Sequence, residues 1–253
     1  MSRPTAAGRR TAASRARRAA LPAPLLAALL ALAAPASGQA PAGGAAGARE
    51  RERPLPLEPA RKASFTARRG TWISLDVSPD GQTIVFDLLG DLYTVPITGG
   101  KARRLTSGLA FDAQPRFSPD GKKIVFVSDR SGGDNVWILS LDLSDTIQVT
   151  QGNTSLYVSP EWMPDGEHIV VSRAGGLGGA AKLELYHVKG RAALPVIRTP
   201  ATLKTLGAAP TPDGRSIWYA GRSGDWQYNA ILPQYQLVVH DRETGTRTVM
   251  TAR

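Results

Sequence analysis

The sequence predicts an all-β protein, a β-propeller built from four-stranded antiparallel blades. Two observations support this prediction: a Pro-Asp-Gly motif that occurs four times, and a short apolar run that follows each copy. The motifs are spaced 40, 45 and 48 residues apart, which is the period of a propeller blade. The four copies are Pro79-Asp80-Gly81, Pro119-Asp120-Gly121, Pro164-Asp165-Gly166 and Pro212-Asp213-Gly214.

Each motif has the chemistry of a tight turn between two strands. Pro presets φ at the first turn position, and Asp bonds its own backbone. Gly accepts the left-handed conformation, so we expect a three-residue turn with a bulge. The runs that follow are β-branched or aromatic and too short for helices: Ile84 to Phe86, Ile124 to Val127, Ile169 to Val171 and Ile217 to Tyr219. One motif would indicate only a turn, but four at the same offset predict a repeat.

Four strands can be placed in each repeat as a meander. The predicted strands are 72–77, 84–86, 91–95 and 102–106; then 114–117, 124–127, 135–139 and 147–150; then 160–162, 169–171, 182–186 and 196–198; and finally 206–210, 217–219, 235–239 and 247–250. The blades extend over about residues 72–108, 111–152, 157–200 and 204–253.

In such a meander the Pro-Asp-Gly turns share one end of the blades with the third-to-fourth-strand turns. The second-to-third-strand loops and the connectors between blades share the other end. Those loops lengthen from the first blade to the fourth, and long loops on a rigid scaffold are the usual place for recognition. We therefore expect any binding site on the long-loop face.

Residues 1–40 predict a secretory signal peptide. Six Arg precede an apolar stretch, Leu21 to Ala34, and small residues follow at 36–40. An uncleaved anchor and a transit peptide are the alternatives, and the paired arginines leave Sec and twin-arginine export both open. The expected location is periplasmic or secreted, without stable membrane insertion after cleavage. Residues 41–64 are rich in Ala, Pro, Gly and charge, which predicts a disordered linker before a propeller at 65–253.

Composition argues against two classes of function. The net charge of +10 falls to +4 once the six leader arginines are removed, so no nucleic-acid partner is expected. The sequence has no Cys, which excludes thiol catalysis and Cys-ligated zinc.

Residues 127–137 match the turn that follows the second strand in the TolB-type, WD40-like propeller repeat, so the blades resemble that family. The family includes periplasmic Tol-system proteins and the front portions of several hydrolases. A closer resemblance, to the amino-terminal propeller of exported amidohydrolase-family proteins, is carried by residues 70–81, 86–93, 226–230 and 234–237. It implies a metal-dependent hydrolase barrel after the propeller.

That barrel and its His-x-His site do not occur in this sequence, so a divalent metal, zinc, is expected only together with such a downstream domain. Arg253 follows the fourth blade directly, with no residues left to close a ring. We therefore expect an incomplete ring, and a fragment or truncated gene product.

No catalytic site and no cofactor is predicted within the chain. His168, His187 and His240 are far apart in sequence, and none is expected to pair with another or to ligate a metal. No Gly-x-Ser-x-Gly motif is present, and the glycines at 175–179 lack the Lys-Ser/Thr of a phosphate loop, which indicates a flexible loop. Asp129, Asp134 and Asn135 suit either calcium or Asx-type turn bonding, and the second is favoured.

The candidate binding residues lie on the predicted long-loop face: Arg130, Asp134, Arg173, Arg222, Trp226, Tyr228 and Tyr235. The three arginines follow the second strand of successive blades. They either present a basic ring to an acidic partner or brace neighbouring blades through backbone carbonyls, and their repetition favours bracing. The three aromatic residues are unique to the fourth blade. They are either contact residues or packing residues for a missing neighbouring domain.

Three hypotheses of function follow. The first is an exported, non-catalytic interaction module, whose partner is another protein. The second is the front portion of a metal-dependent amidohydrolase, whose partner is a missing downstream domain. The third is a propeller that gates a serine peptidase, which predicts a Gly-x-Ser-x-Gly motif downstream.

Overall fold

The computed structural model describes residues 63–175, 181–190, 192–198, 200, 202–223 and 235–251. All described strands belong to one unit, Ser64–Arg253. The predicted signal peptide, nearly all of the predicted linker, three of the four glycines at 175–179, and Trp226 and Tyr228 lie outside the described residues.

The described residues form sixteen strands in four antiparallel sheets, each a meander of consecutive strands. The first sheet holds β1 (Leu75–Val77), β2 (Thr83–Leu88), β3 (Asp91–Pro96) and β4 (Arg103–Arg104). The second holds β5 (Asp112–Phe117), β6 (Lys123–Ser128), β7 (Asn135–Ser140) and β8 (Thr146–Gln148). The third holds β9 (Ser155–Trp162), β10 (His168–Gly175), β11 (Lys182–His187) and β12 (Leu194–Pro195). The fourth holds β13 (Lys204–Pro210), β14 (Ser216–Arg222), β15 (Gln236–Asp241) and β16 (Arg247–Val249).

The sheets follow one another as the blades of a propeller. The first strand of each sheet contacts the first strand of the next, which places β1, β5, β9 and β13 on the inner side. Among the described strands, none of the fourth sheet contacts the first sheet. The prediction of a propeller of four-stranded blades that leaves its ring incomplete is therefore confirmed.

Three apolar interfaces hold the sheets together. Val85, Leu92 and Leu105 of the first sheet pack on Phe117 and neighbouring side chains of the second. The second and third sheets share another cluster, and the third and fourth share the last. Because each strand alternates its side chains between two faces, an interior sheet can be buried on both sides.

The glycines of the Pro-Asp-Gly turns have the predicted left-handed conformation, but each turn is one residue longer than expected. Gly81 has φ +72°, and the N–H of Ser78 donates to the carbonyl of Thr83 at 2.8 Å, which encloses four residues rather than three. The Asp80 carboxylate accepts the Gln82 N–H at 3.0 Å, and this bond extends the turn by one residue. Asp120 and Asp213 bond in the same way.

The inner strands contain a bulge that the sequence pattern did not predict. Gln114, Ser159 and Gly207 have φ of +57°, +52° and +63°, and the strand register shifts at each of them. The backbone N–H of each of these residues donates to a side chain. The acceptor is the Asp87 carboxylate for the N–H of Gln114, the Gln114 amide oxygen for that of Ser159, and the Ser172 hydroxyl for that of Gly207. The bulge interrupts the alternation of period two, so β9 begins at Ser155 although the pattern predicted residue 160.

Candidate interaction surface

One end of the sheets carries the second-to-third-strand loops and the connectors between sheets, and we call it the connector face. The N–H of Asp112, at the end of the first connector, donates to the carbonyl of Gly90 in the β2–β3 turn at 2.9 Å. Asn135, after the β6–β7 loop, donates to the carbonyl of Gly152 in the second connector at 2.8 Å. The loops between the second and third strands hold 2, 6, 6 and 13 residues, so the first sheet has the shortest and the fourth sheet the longest.

Four of the large apolar side chains that are exposed among the described residues lie on the connector face of the first two sheets, and we call them the apolar cluster. They are Trp72, Leu89, Leu109 and Phe111. Trp72 precedes β1 and is 99% exposed. Monomeric proteins rarely leave several large apolar side chains exposed on neighbouring loops, and such patches commonly mark binding sites.

Local backbone geometry displays this cluster. Leu89 and Gly90 form a two-residue turn with φ of +54° and +82°, the signature of a type I′ hairpin, and the turn leaves Leu89 at its tip. Phe111 lies against this turn, because a methyl group on Gly90 would be 3.1 Å from its ring. The Asp129 carboxylate accepts the Phe111 N–H at 2.8 Å. The repeat pattern did not predict this cluster; the one local signal for it was Leu88-Leu89-Gly90, where a polar turn is usual.

Arg130 makes its hydrogen bonds and ring contacts within its own sheet. Its guanidinium donates to both carboxylate oxygens of buried Asp112, at 2.8 and 2.7 Å, and to the Ser128 hydroxyl at 3.0 Å. It also stacks on the rings of Phe126 and Trp137. The side chain thus braces β5 against β6 through a carboxylate, whereas the sequence favoured bracing between blades through carbonyls.

Arg173 has a similar role in the third sheet. Its guanidinium donates to the Ser155 hydroxyl at 3.0 Å and to the Glu184 carboxylate at 3.2 Å, which ties the first three strands of the sheet together. Arg222 is the last residue of β14 and is half-buried, whereas Arg173 lies within β10 and Arg130 follows β6. The structure therefore distributes the three arginines over three sheets.

The β6–β7 loop is organised by a buried amide. Asn135 donates to the carbonyls of Gly133 and Gly152 and to the Ser131 hydroxyl, and it accepts from the Thr150 hydroxyl at 3.0 Å. Asp134 is half-buried beside it. Within the described residues, no group of three His, Asp or Glu side chains converges as metal ligands. Asn135 thus ties the loop to the second connector.

Of the three fourth-blade aromatic residues, Tyr235 is described. It is exposed and directly precedes β15. It therefore lies at the end of the long loop of the fourth sheet, on the connector face.

The prediction that no two histidines pair was wrong. His168 on β10 and His187 on β11 are directly opposite in the strand register, with ring centroids 5.2 Å apart. The Nδ1 atom of His168 is 2.8 Å from the Asp165 carboxylate. The two residues are 19 positions apart in the sequence, and the β10–β11 hairpin brings them together. Sequence separation alone therefore did not predict the pairing.

An ionisable pair lies between the inner strands of the second and third sheets. The Arg116 Nε atom is 3.3 Å from a Glu161 carboxylate oxygen. Burial raises the pKa of Glu161 to about 7, because the loss of hydration outweighs the attraction of Arg116. Glu161 therefore changes charge near neutral pH.

These sheets and their order define a β-propeller domain with an exposed connector face. The sequence profile of the family described as the tricorn protease N-terminal beta propeller domain matches residues 52–230, more than half of the chain. The chain belongs to this family.

Several similar proteins carry the TolB name, and two of them show the extent of the similarity. The Tol-Pal system protein TolB of Bordetella pertussis is 43% identical over 58 residues, which are 22% of this chain and 13% of that protein. The crystal structure of TolB from Acinetobacter baumannii has a TM-score of 0.55 and 19% identity, over 71% of this chain and 43% of that chain. The propeller is therefore TolB-like, and the matches span less than half of each relative's length.

A hydrolase contains the same fold as part of a larger chain. A puromycin-hydrolyzing peptidase from Mycobacterium tuberculosis has a TM-score of 0.51 and 13% identity, over 72% of this chain and 29% of that chain. At this identity the likeness shows the fold alone.

Proposed function

We propose that this chain is an exported, non-catalytic TolB-like propeller module that binds a protein partner through its connector face. The observation that carries the proposal is the apolar cluster of Trp72, Leu89, Leu109 and Phe111, which is exposed on two neighbouring sheets. Aromatic side chains are the usual anchors of protein interfaces.

The scaffold under the cluster is suited to binding. Leu89 is held by a tight turn and Phe111 by the bond from its N–H to Asp129, so both side chains start from fixed backbone positions. Preorganised groups lose less conformational entropy on binding than groups on mobile segments. Exposed Arg68 and Arg69 precede Trp72, and they favour a partner whose apolar segment carries carboxylates.

Export is supported by the Arg-rich leader and apolar stretch within residues 1–40. The described residues contain no helix with the length and hydropathy needed to cross a bilayer. We place the protein in the periplasm or outside the cell, with neither nucleic acid nor membrane insertion in its function.

Quantitative capture from a periplasmic extract tests the proposal. The chain, a Trp72→Ser/Phe111→Ser variant and a Leu143→Ser control are immobilised in equal amounts, and bound proteins are compared by mass spectrometry. Leu143 is also an exposed apolar residue, but it lies in the β7–β8 turn at the opposite end of the sheets. We expect a partner that the chain and the control retain and that the double variant loses at least tenfold. Equal retention by all three proteins contradicts the proposal.

The alternative is the amino-terminal propeller of a metal-dependent amidohydrolase. It rests on the resemblance carried by residues 70–81, 86–93, 226–230 and 234–237. An immunoblot of the source cells, made with an antibody against residues 70–253, measures the mass of the polypeptide that contains the propeller. A mass near 26.8 kDa, less the leader, favours the interaction module. A much larger polypeptide with a His-x-His motif after the propeller favours the hydrolase.

A further inference from the structure

We propose that a cavity between the third and fourth sheets binds a small aliphatic carboxylate, whose carboxylate group is held by His240 and Arg242. The cavity has a volume of about 180 Å³ and is lined by both residues. It lies toward the Pro-Asp-Gly end of the sheets, because His240 is opposite Ile217, the second residue of β14. The inference goes beyond the proposed function, which concerns the connector face at the other end.

His240 occupies a place in the strand register that the second and third sheets fill differently. It is opposite the isoleucine that is the second residue of the preceding strand, as are Leu139 in the second sheet and Tyr186 in the third. Leu139 is buried in an apolar cluster. The Tyr186 hydroxyl donates to the Glu184 carboxylate at 2.6 Å, so its polar atom has a partner within the interface. In the fourth sheet an imidazole takes this place.

The imidazole of His240 has an unpaired polar atom. The residue is 9% exposed, and its Nδ1 atom is buried without a hydrogen-bond partner among the described residues. Buried polar atoms in folded proteins nearly always have a partner. Burial and the Arg247 guanidinium lower the pKa of His240 and outweigh the Asp241 carboxylate and the Thr246 backbone, so the ring is neutral at pH 7. A neutral ring with its proton on Nδ1 can donate one hydrogen bond, and a molecule bound in the cavity supplies the acceptor.

The charges around the cavity favour an anion. Arg242 donates from Nη1 to the carbonyl of Gly214 at 2.6 Å, and a guanidinium has five N–H donors, so others remain for a bound molecule. No Asp or Glu among the described residues lines the cavity. The carboxylate of Asp241, which is adjacent to His240 in sequence, accepts the backbone N–H groups of Glu243 and Thr244. A carboxylate in the cavity therefore gains a charge-assisted hydrogen bond from Arg242 and meets no like charge among the lining residues.

The remaining wall of the cavity is apolar and limits the size of the ligand. Its residues are Leu185, Leu194, Pro195, Val196 and Ile217. Burying an aliphatic chain against such a wall is favourable, because apolar surface leaves water. A water molecule takes up about 30 Å³ in the liquid, so the cavity has room for about six non-hydrogen atoms. Isobutyrate, a branched carboxylate of this size, combines the groups that the two parts of the wall select.

Titration of the isotope-labelled full chain with isobutyrate, followed by amide NMR, tests the proposal. We expect saturable shifts centred on the amides of Leu185, Val196, Ile217 and His240. Isobutyramide has the same shape without the charge, and it should bind at least about tenfold more weakly, because a hydrogen bond to a charged group is lost. Acetate keeps the charge but lacks the branched chain, and it should also bind more weakly.

Two variants of His240 separate binding from packing. His240→Leu introduces the residue type that the second sheet has at Leu139, and it removes Nδ1. We expect it to lose at least about tenfold in isobutyrate affinity. Its unfolding temperature without ligand should be unchanged or higher, because an unpaired buried polar atom is removed. His240→Asn returns a side-chain N–H donor and should keep more of the affinity than His240→Leu.

Arg242 and a distant lysine give the matched pair for charge. Arg242 is exposed, so Arg242→Met should leave the fold unchanged by circular dichroism and weaken isobutyrate binding at least about tenfold. Lys101 is also exposed and lies between β3 and β4 of the first sheet. We expect Lys101→Met to bind isobutyrate like the unaltered chain.

Several results would overturn the inference. These are the absence of saturable shifts, shifts centred elsewhere on the chain, equal binding of isobutyramide, and full affinity in either His240→Leu or Arg242→Met. Acetylvaline carries the same groups on a larger frame, and tighter binding than isobutyrate would point to a peptide terminus and contradict a small free acid. Because none of these substitutions touches the apolar cluster, failure here leaves the capture experiment of the proposed function intact.

Discussion

The first and second sheets are built from the same repeat, yet they differ in how much of their apolar surface is buried. Phe86 and Phe126 occupy equivalent positions on β2 and β6, but Phe126 is fully buried and Phe86 is half-buried. The second sheet has a neighbour on each side, whereas the first has a described neighbour on one side. The comparison teaches that burial in this fold is determined by the neighbouring sheet rather than by the strand sequence.

Truncating the two phenylalanines should give the largest effect. Phe126→Ala removes a buried ring from the first interface and should lower the free energy of unfolding by about 3–5 kcal/mol, whereas Phe86→Ala should cost about 1–2 kcal/mol. Urea denaturation of the two variants measures both losses. Equal losses would mean that both faces of the first sheet are covered.

The arginine pairs extend the comparison to charge. Arg130→Met leaves the Asp112 carboxylate, which is 2% exposed, without its bidentate partner, and should destabilise by about 2–4 kcal/mol. Arg104→Met in the first sheet removes a more exposed partner of Asp91 and should cost about 1 kcal/mol. Thermal unfolding of the two variants provides the test. A larger loss for Arg104→Met would contradict the assignment of Arg130 as the brace of β5 and β6.

The repeat and its strands were predictable because the turn motif and the apolar run are local signals. The same signals placed Gly81 and Gly121 in left-handed conformations, as the structure has them. The bulges at Gln114 and Ser159 were not predictable, because each depends on a side chain that is distant in sequence. The apolar cluster was missed for a related reason: whether Trp72 is buried depends on the neighbouring sheet, and no local pattern reports that.

Substitutions in the turns should have an intermediate effect. Gly121→Val forces a β-branched residue to φ near +68° and should destabilise by about 1–3 kcal/mol. Its side chain also meets Pro79, whereas Gly81→Val has the same strain in open space and should cost less. Chemical denaturation of both variants measures the difference. If Gly121→Val loses no stability, the turn does not have the described conformation.

Glu161 should give a smaller effect that depends on pH. Its pKa of about 7 in the folded chain is above its ordinary value of 4.5, so the folded state holds a proton that the unfolded state releases between these values. The stabilisation is present below the ordinary pKa and is lost as the pH rises through 7. We expect the unaltered chain to lose about 1–2 kcal/mol between pH 5 and pH 8, and Glu161→Gln to lose less. Parallel pH profiles for the two proteins would show that Glu161 does not titrate in this range.

Amide hydrogen exchange tests most directly the claim that neighbouring sheets determine burial. We expect slow exchange in β6 and β7 of the second sheet, which has a neighbour on each side. We expect faster exchange in β2 and β3 of the first sheet and in β15 of the fourth. Equal protection of all four sheets would contradict the claim.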